Sequence, residues 1–143
     1  MDRIASSERA EATYVSEPIF DFVGRHLLAN FVGCDRRALN DLTELRAAMN
    51  RAVEASGATL LRTAEHVFPQ GGYTLVMLLS ESHASIHTYP EFDSCFIDLF
   101  TCGDSCSAEK FEAVMRDYLR PVKATRQVCI RHQGFAPDAF GQA

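Results

Sequence analysis

Ser82, His87 and Cys102 are the residues of this 143-residue chain whose types and spacing could together do chemistry. A hydroxyl is a latent nucleophile, an imidazole carries protons near neutral pH, and a thiol is a usable general acid. They sit in the stretch Leu79-Ser80-Glu81-Ser82-His83-Ala84-Ser85-Ile86-His87-Thr88-Tyr89-Pro90-Glu91 and in Phe100-Thr101-Cys102-Gly103. Thr88 and Cys95 flank a loop around Tyr89 to Asp93. Pairing the strands on either side as a hairpin makes opposed residue numbers sum to about 183. Ser82 then faces Thr101, one residue from Cys102, with strands roughly 5 Å apart. His87 lies five residues nearer the loop, and the expectation is that Ser82, His87 and Cys102 line one cleft. The competing reading of Ser82 is a surface serine on a loop. His83 and His87, with Cys102 or Cys106, could suggest a metal, but the segment does not look helical and the cysteines lack zinc spacing, so no metal site is expected.

The elements that must position these residues belong to one domain. The length supports a real core but not two. Hydrophobic residues make up 47% and charged residues 23%, as in an ordinary globular chain. Fourteen basic against nineteen acidic residues, with no cluster of Lys and Arg, argue against nucleic acid as a partner. The longest apolar run, Leu75 to Leu79, is too short to span a bilayer, and no secretory pattern opens the chain. No membrane partner and a cytoplasmic location are therefore expected. Five cysteines without paired spacing do not suggest a disulfide framework. Cys34, Cys95 and Cys129 read as packing residues, and Cys106 as incidental in a turn.

Residues 1–17 read as a flexible polar extension, 18–133 as the domain and 134–143 as a loose tail. A first strand is expected over Ile19 to Val32, with Gly24 as a possible bulge and His26 as a structural strand residue. After a connection at 34–37, Leu42, Leu45, Met49 and Val53 recur at helical spacing; Asp41 and Glu44 make a capping box and Gly57 a C-terminal cap. Ala58 to Phe68, Tyr73 to Ser80 (apolar on both faces, hence central) and Ser94 to Cys102 follow as strands. Ser107 caps a second helix with the stripe Phe111, Val114, Met115 and Tyr118, and Ala124 to Arg131 is the last strand. The order β-α-β-β-β-α-β implies an α/β (α+β) fold: a two-layer sandwich of a largely antiparallel sheet with two helices on one face. Asp98 would share a face with Cys102.

Glu-Ser-His-x-Ser-Ile-His-Thr followed by Phe-Thr-Cys-Gly resembles the self-cleavage and active-site region of the short bacterial and archaeal S-adenosylmethionine decarboxylases. The likeness extends over most of 20–132, through Gly24-Arg25-His26-Leu27-Leu28, Gly33-Cys34-Asp35, Leu39-Asn40-Asp41 and Phe68. It implies that the Glu81-Ser82 bond breaks itself and leaves a covalent pyruvoyl cofactor derived from Ser82. Ser82 Oγ would attack the Glu81 carbonyl to give an ester; loss of the Ser82 α-proton would split that ester, and hydrolysis would release ammonia. The resemblance makes His87 the processing histidine and Cys102 the proton donor in decarboxylation. Glu81 serves through its carbonyl and local geometry, and Thr74 could help hold the oxyanion. Phe68 matches an aromatic that stacks on the substrate's adenine, Tyr89 keeps an aromatic face beside it, and Glu91 is a site carboxylate. The implied substrate is S-adenosylmethionine, the implied product the aminopropyl donor of polyamine synthesis, and the implied assembly a homodimer of cleaved protomers paired through their sheets, with sites near the interface.

Some positions depart from the family pattern. Thr74 stands where a serine is usual, Tyr89 replaces a tryptophan, and Phe92-Asp93-Ser94-Cys95-Phe96 replaces Tyr-Gly-Tyr-Ala-Ala. The extra acid Asp93 motivates a second reading, a pyruvoyl-dependent decarboxylase of a basic amino acid such as ornithine or arginine. The change at Thr74 motivates a third, a non-processing regulatory homologue.

Overall fold

The structure, a computed structural model, describes residues 23–102 and 104–131. The expected N-terminal extension, the tail and the start of the first strand at Ile19 lie outside those residues. Within them the chain forms β1 (Gly24–Val32), α1 (Arg36–Asn40), α2 (Leu42–Ser56), β2 (Leu60–Val67), β3 (Tyr73–Leu79), β4 (Ser82–Tyr89), a 3-10 turn (Pro90–Phe92), β5 (Ser94–Cys102), α3 (Ala108–Leu119) and β6 (Lys123–Arg131). All neighbouring strands are antiparallel, in the order β2-β3-β4-β5-β1-β6. The expected two-layer sandwich is thus present, with two corrections to the element order. The hairpin partner of β5 is a strand in its own right, β4, separated from β3 only by Ser80 and Glu81. The connection after β1 contains the short α1, capped by Asp35, whose carboxylate accepts from the N–H groups of Arg37 and Ala38.

Alternation builds the core. Leu27, Ala29 and Phe31 of β1, Leu75 and Met77 of β3, Ala84 and Ile86 of β4, and Ile97 and Leu99 of β5 all point to one side and are buried. Against them lie Leu45, Met49 and Val53 of α2 and Phe111, Met115 and Leu119 of α3. Asp41 accepts from the Glu44 N–H at the start of α2, and Gly57 closes the helix at φ 88°, a left-handed conformation only glycine adopts freely. Val114 and Tyr118 are only partly buried. Gly24 is not a bulge: it pairs regularly with Cys102 and Arg131. A Cβ there would sit 2.5 Å from the Phe100 ring, so close approach is what requires glycine.

Among the described residues, nothing covers the other side of the sheet. β3 is flanked by two strands, as expected, yet its second apolar face is uncovered, with Val76 40% and Leu78 51% exposed. Leu28 and Phe96 add to this open face.

Candidate active site

Strand pairing decides which candidate residues meet. The expected register holds: Ser82 lies opposite Thr101 and His87 opposite Phe96. Ser82 Oγ is 3.5 Å from Cys102 Sγ, and Cys102 is exposed. The Cys102 N–H donates to the Glu81 carbonyl oxygen at 2.9 Å. That carbonyl belongs to the peptide bond preceding Ser82, so a fixed donor already polarises the carbon nearest the serine hydroxyl. Ser82 has φ 152°, a value L-residues rarely adopt, which places about 1–3 kcal/mol of backbone strain at this bond. The Glu81 side chain is held separately, its Oε2 accepting from the Thr59 N–H at 2.9 Å. Together with the bond from Ser80 N–H to Thr59 carbonyl, this ties the β3–β4 turn to the start of β2.

His87 is not part of this arrangement. Five residues of β4 separate it from Ser82, and at 3.3–3.4 Å per residue that is about 17 Å. The expectation of one cleft for Ser82, His87 and Cys102 is therefore corrected: within a chain the strand carries them to opposite ends. Counting residues placed His87 on the right strand, but a strand converts sequence proximity into distance where a helix turn would not.

At the His87 end a second group assembles. His87 and Thr74 face each other across β4 and β3, with Thr74 Oγ1 3.0 Å from His87 Nδ1. The threonine hydroxyl thus makes the bond a serine would offer, which removes the motive for a non-processing homologue. A cleft of about 290 Å³ is lined here by Phe68, Gln70, Gly72, Thr74, His87, Tyr89 and Glu91. Phe68 is largely exposed beyond the end of β2, and Gly71 and Gly72 take positive φ in the turn beside it. A second, shallow hollow of about 550 Å³ borders Leu28, Asn30, Ser85, His87, Phe96 and Asp98 on the open face. Phe96 lies against Tyr89, ring centroids 5.2 Å apart.

Asp93, the proposed anchor for a basic substrate, is already engaged. Arg36 donates to both of its carboxylate oxygens, at 2.9 and 2.8 Å, and these bonds hold the Asp93 carboxyl below the usual carboxylate range. Its φ of 48° explains why a glycine suits this position, and Asp tolerates that region better than most residues. Cys34 and Cys95 are free, buried thiols beside one another, and the hydrogen bond between them pulls the Cys34 thiol down while that bond and burial push Cys95 up. Burial raises the Cys106 thiol. Composition alone signalled none of these pairings.

The chain is similar to known proteins in sequence and in fold. A sequence profile described as S-adenosylmethionine decarboxylase matches residues 25–132. The chain is 44% identical over 98 residues to an S-adenosylmethionine decarboxylase proenzyme of Parasynechococcus marenigrum, covering 68% of this chain and 77% of that protein. It is 38% identical over 120 residues to a proenzyme of the same name from Thermotoga maritima, covering 83% and 89%. The crystal structure of the adenosylmethionine decarboxylase from Aquifex aeolicus superposes with a TM-score of 0.70 at 30% identity, over 85% of this chain and 99% of that one. With the profile spanning most of the chain and the fold shared with a solved relative, the protein belongs to the S-adenosylmethionine decarboxylase family.

Proposed function

We propose that the chain is a proenzyme that cuts itself between Glu81 and Ser82 and then decarboxylates S-adenosylmethionine, yielding the aminopropyl donor for spermidine and other polyamines. The observation that carries this is the Cys102 N–H on the Glu81 carbonyl beside the strained Ser82. Ser82 Oγ attacks the Glu81 carbonyl carbon, and the charge that develops on oxygen falls on a donor already in place. Removing one such donor typically costs 10²–10³ in rate, so about 2.7–4 kcal/mol of the barrier rests on this N–H. The C–N bond of the peptide breaks as the ester forms, and the strain at Ser82 is released. A base then takes the Ser82 α-proton, the ester C–O bond breaks to free the Glu81 carboxylate, and uptake of water with loss of ammonia leaves a pyruvoyl group on residue 82. Serine, an adjacent donor and an adjacent thiol are the residues such a group requires, and they fit.

The pyruvoyl carbonyl supplies an electron sink for loss of carbon dioxide from an amino acid substrate. Cys102, with its thiol 3.5 Å from the Ser82 oxygen, holds the proton that returns to the substrate's α-carbon. Phe68 and Tyr89 offer flat apolar surface for the adenine, and Glu91 accepts hydrogen bonds from the ribose or faces the sulfonium cation. His87, fixed by Thr74, carries the processing proton.

These two groups lie about 17 Å apart in one chain, whereas proton transfer needs contact near 3 Å. A homodimer resolves the gap. Two chains pair by their open, apolar sheet faces about a two-fold axis, which sets the Ser82 end of one over the His87 end of the other. Each site then takes Ser82 and Cys102 from one chain and Thr74, His87, Phe68, Tyr89 and Glu91 from its partner.

Denaturing intact-mass spectrometry tests the cleavage. The expected product is a fragment starting at residue 82 with a pyruvoyl end, absent from Ser82→Ala. Release of labelled carbon dioxide from carboxyl-labelled S-adenosylmethionine tests the substrate, and a cleaved enzyme that releases none rejects it.

A further inference from the structure

The open face carries a polar cluster that neither half of the site uses. His26 on β1 and His83 on β4 both lie opposite Phe100, and Asp98 is two residues along β5 from it. Strand alternation therefore points all three to the same side. Phe100 supports both imidazoles, with centroids 5.3 and 5.6 Å away, and the two imidazole rings are nearly perpendicular. His26 Nε2 is 2.9 Å and His83 Nε2 3.9 Å from the same oxygen, Asp98 Oδ2. One ligand atom from each residue lies within 4.8 Å of the other two. The second oxygen of Asp98 accepts from the Ser85 hydroxyl.

We infer that His26, His83 and Asp98 form a binding site for a divalent first-row transition metal ion of the zinc type. Two neutral imidazoles and one carboxylate suit zinc and its neighbours; calcium and magnesium take oxygen ligands throughout. Bonds of about 2.0–2.2 Å in tetrahedral geometry put ligand atoms about 3.4 Å apart. The two measured separations bracket that value, each within about half an ångström. His83, the most exposed of the three, has freedom to rotate inward. Ser85 fixes the carboxylate by its free oxygen, the outer support that metal-binding side chains commonly have. Three protein ligands leave a fourth position open to water or a small ligand.

The pairing differs from the one the sequence suggested. His83 and His87 share a face, but four residues of strand, about 13 Å, keep them from sharing an ion. His26, the true neighbour, is 57 positions before His83, and only the sheet order brings it near. His83 directly follows Ser82, so an ion here also fixes the peptide unit next to the reactive residue. That consequence rests on cleavage at Glu81-Ser82; metal binding does not, and the test reads binding alone.

The experiment is titration of tag-free, chelator-stripped full-length protein with Co²⁺, followed by visible absorption, with Zn²⁺ as competitor. The expected result is saturation at one Co²⁺ per chain, displacement by one Zn²⁺, and an upward thermal shift with Zn²⁺. His26→Gln, His83→Gln and Asp98→Asn each weaken binding by more than about tenfold, and Ser85→Ala by about tenfold. His87→Gln and Cys102→Ser bind as wild type does. Circular dichroism in metal-free buffer establishes that each variant is folded, and the three ligand variants are redundant should one of them fail. Absence of a saturable one-to-one signal, a signal that survives in the folded ligand variants, or one that disappears in Cys102→Ser overturns the inference.

Discussion

Mixing two inactive variants tests the composite site directly. His87→Ala removes the imidazole proposed to carry the processing proton, and Ser82→Ala removes the residue proposed to be processed. In a mixed dimer, one site combines intact Ser82 from the His87→Ala chain with intact His87 from the Ser82→Ala chain; the other site lacks both. With equal expression and random pairing, about half of the His87→Ala chains have a Ser82→Ala partner. About half of those chains should therefore be cut after Glu81, while no Ser82→Ala chain is. One site in about four is intact, so decarboxylation per chain should reach about a quarter of wild type. Each variant alone should stay as one chain near 15.9 kDa. Misfolding does not imitate this result, since His87→Ala gives up one partly buried hydrogen bond to Thr74, about 0.5–1.5 kcal/mol. The assay is intact-mass spectrometry of co-expressed chains made distinguishable by mass. If His87→Ala is cut alone at the wild-type rate, His87 has no processing role; if it stays uncut beside Ser82→Ala, the imidazole does not act from the partner.

Further predictions follow from the same geometry. Glu81→Ala frees the Thr59 N–H and should lower stability by about 0.5–1.5 kcal/mol and slow cleavage, whereas Glu81→Gln keeps an acceptor and should process nearly normally, as a time course of fragment appearance will reveal. Gly24→Ala drives a methyl into the Phe100 ring and should cost about 1–3 kcal/mol in urea denaturation. Because Arg36 depresses the Asp93 carboxyl, that ion pair stabilises the fold above the ordinary carboxylate range and is lost as pH falls below about 4. The difference in melting temperature between wild type and Asp93→Asn should therefore be small, present at neutral pH and absent in acid. Asp93→Gly should still use S-adenosylmethionine and still ignore ornithine and arginine.

Much of the fold was legible because its signals are local. Leu45, Met49 and Val53 repeat at helical spacing, Asp41 and Gly57 bracket α2, and the loop before Ser94 fixed the register of β4 against β5 to the residue. The placement of Ser82 beside Cys102 was legible for the same reason, since Cys102 lies one residue from the cross-strand partner of Ser82. What the sequence hid is long-range. Nothing local to Arg36 announces Asp93, and nothing near His83 announces His26; both contacts depend on β1 entering the sheet between β5 and β6. Gly24 was misread as a bulge because the cause of its glycine, the Phe100 ring, lies on another strand.

The segment from Glu81 to Glu91 reads as one motif, yet its two ends serve different places. In a helix, five residues would rise by only about 7.5 Å. In β4 they are separated by about 17 Å along one rigid ladder that pairs with β3 and β5 over its length. No rotamer closes that distance, and bending the strand would break the ladder on both sides. In the proposed homodimer, a chain that carries nucleophile and base on one strand holds two half-sites, and the two-fold axis through the open face makes both whole at once. On the same proposal, the described residues of a lone chain leave the apolar face uncovered and hold His87 about 17 Å from Ser82. On this reasoning the serine waits for a partner, and cleavage should depend on protein concentration: first-order in dimer, and stalled when dilution separates the chains.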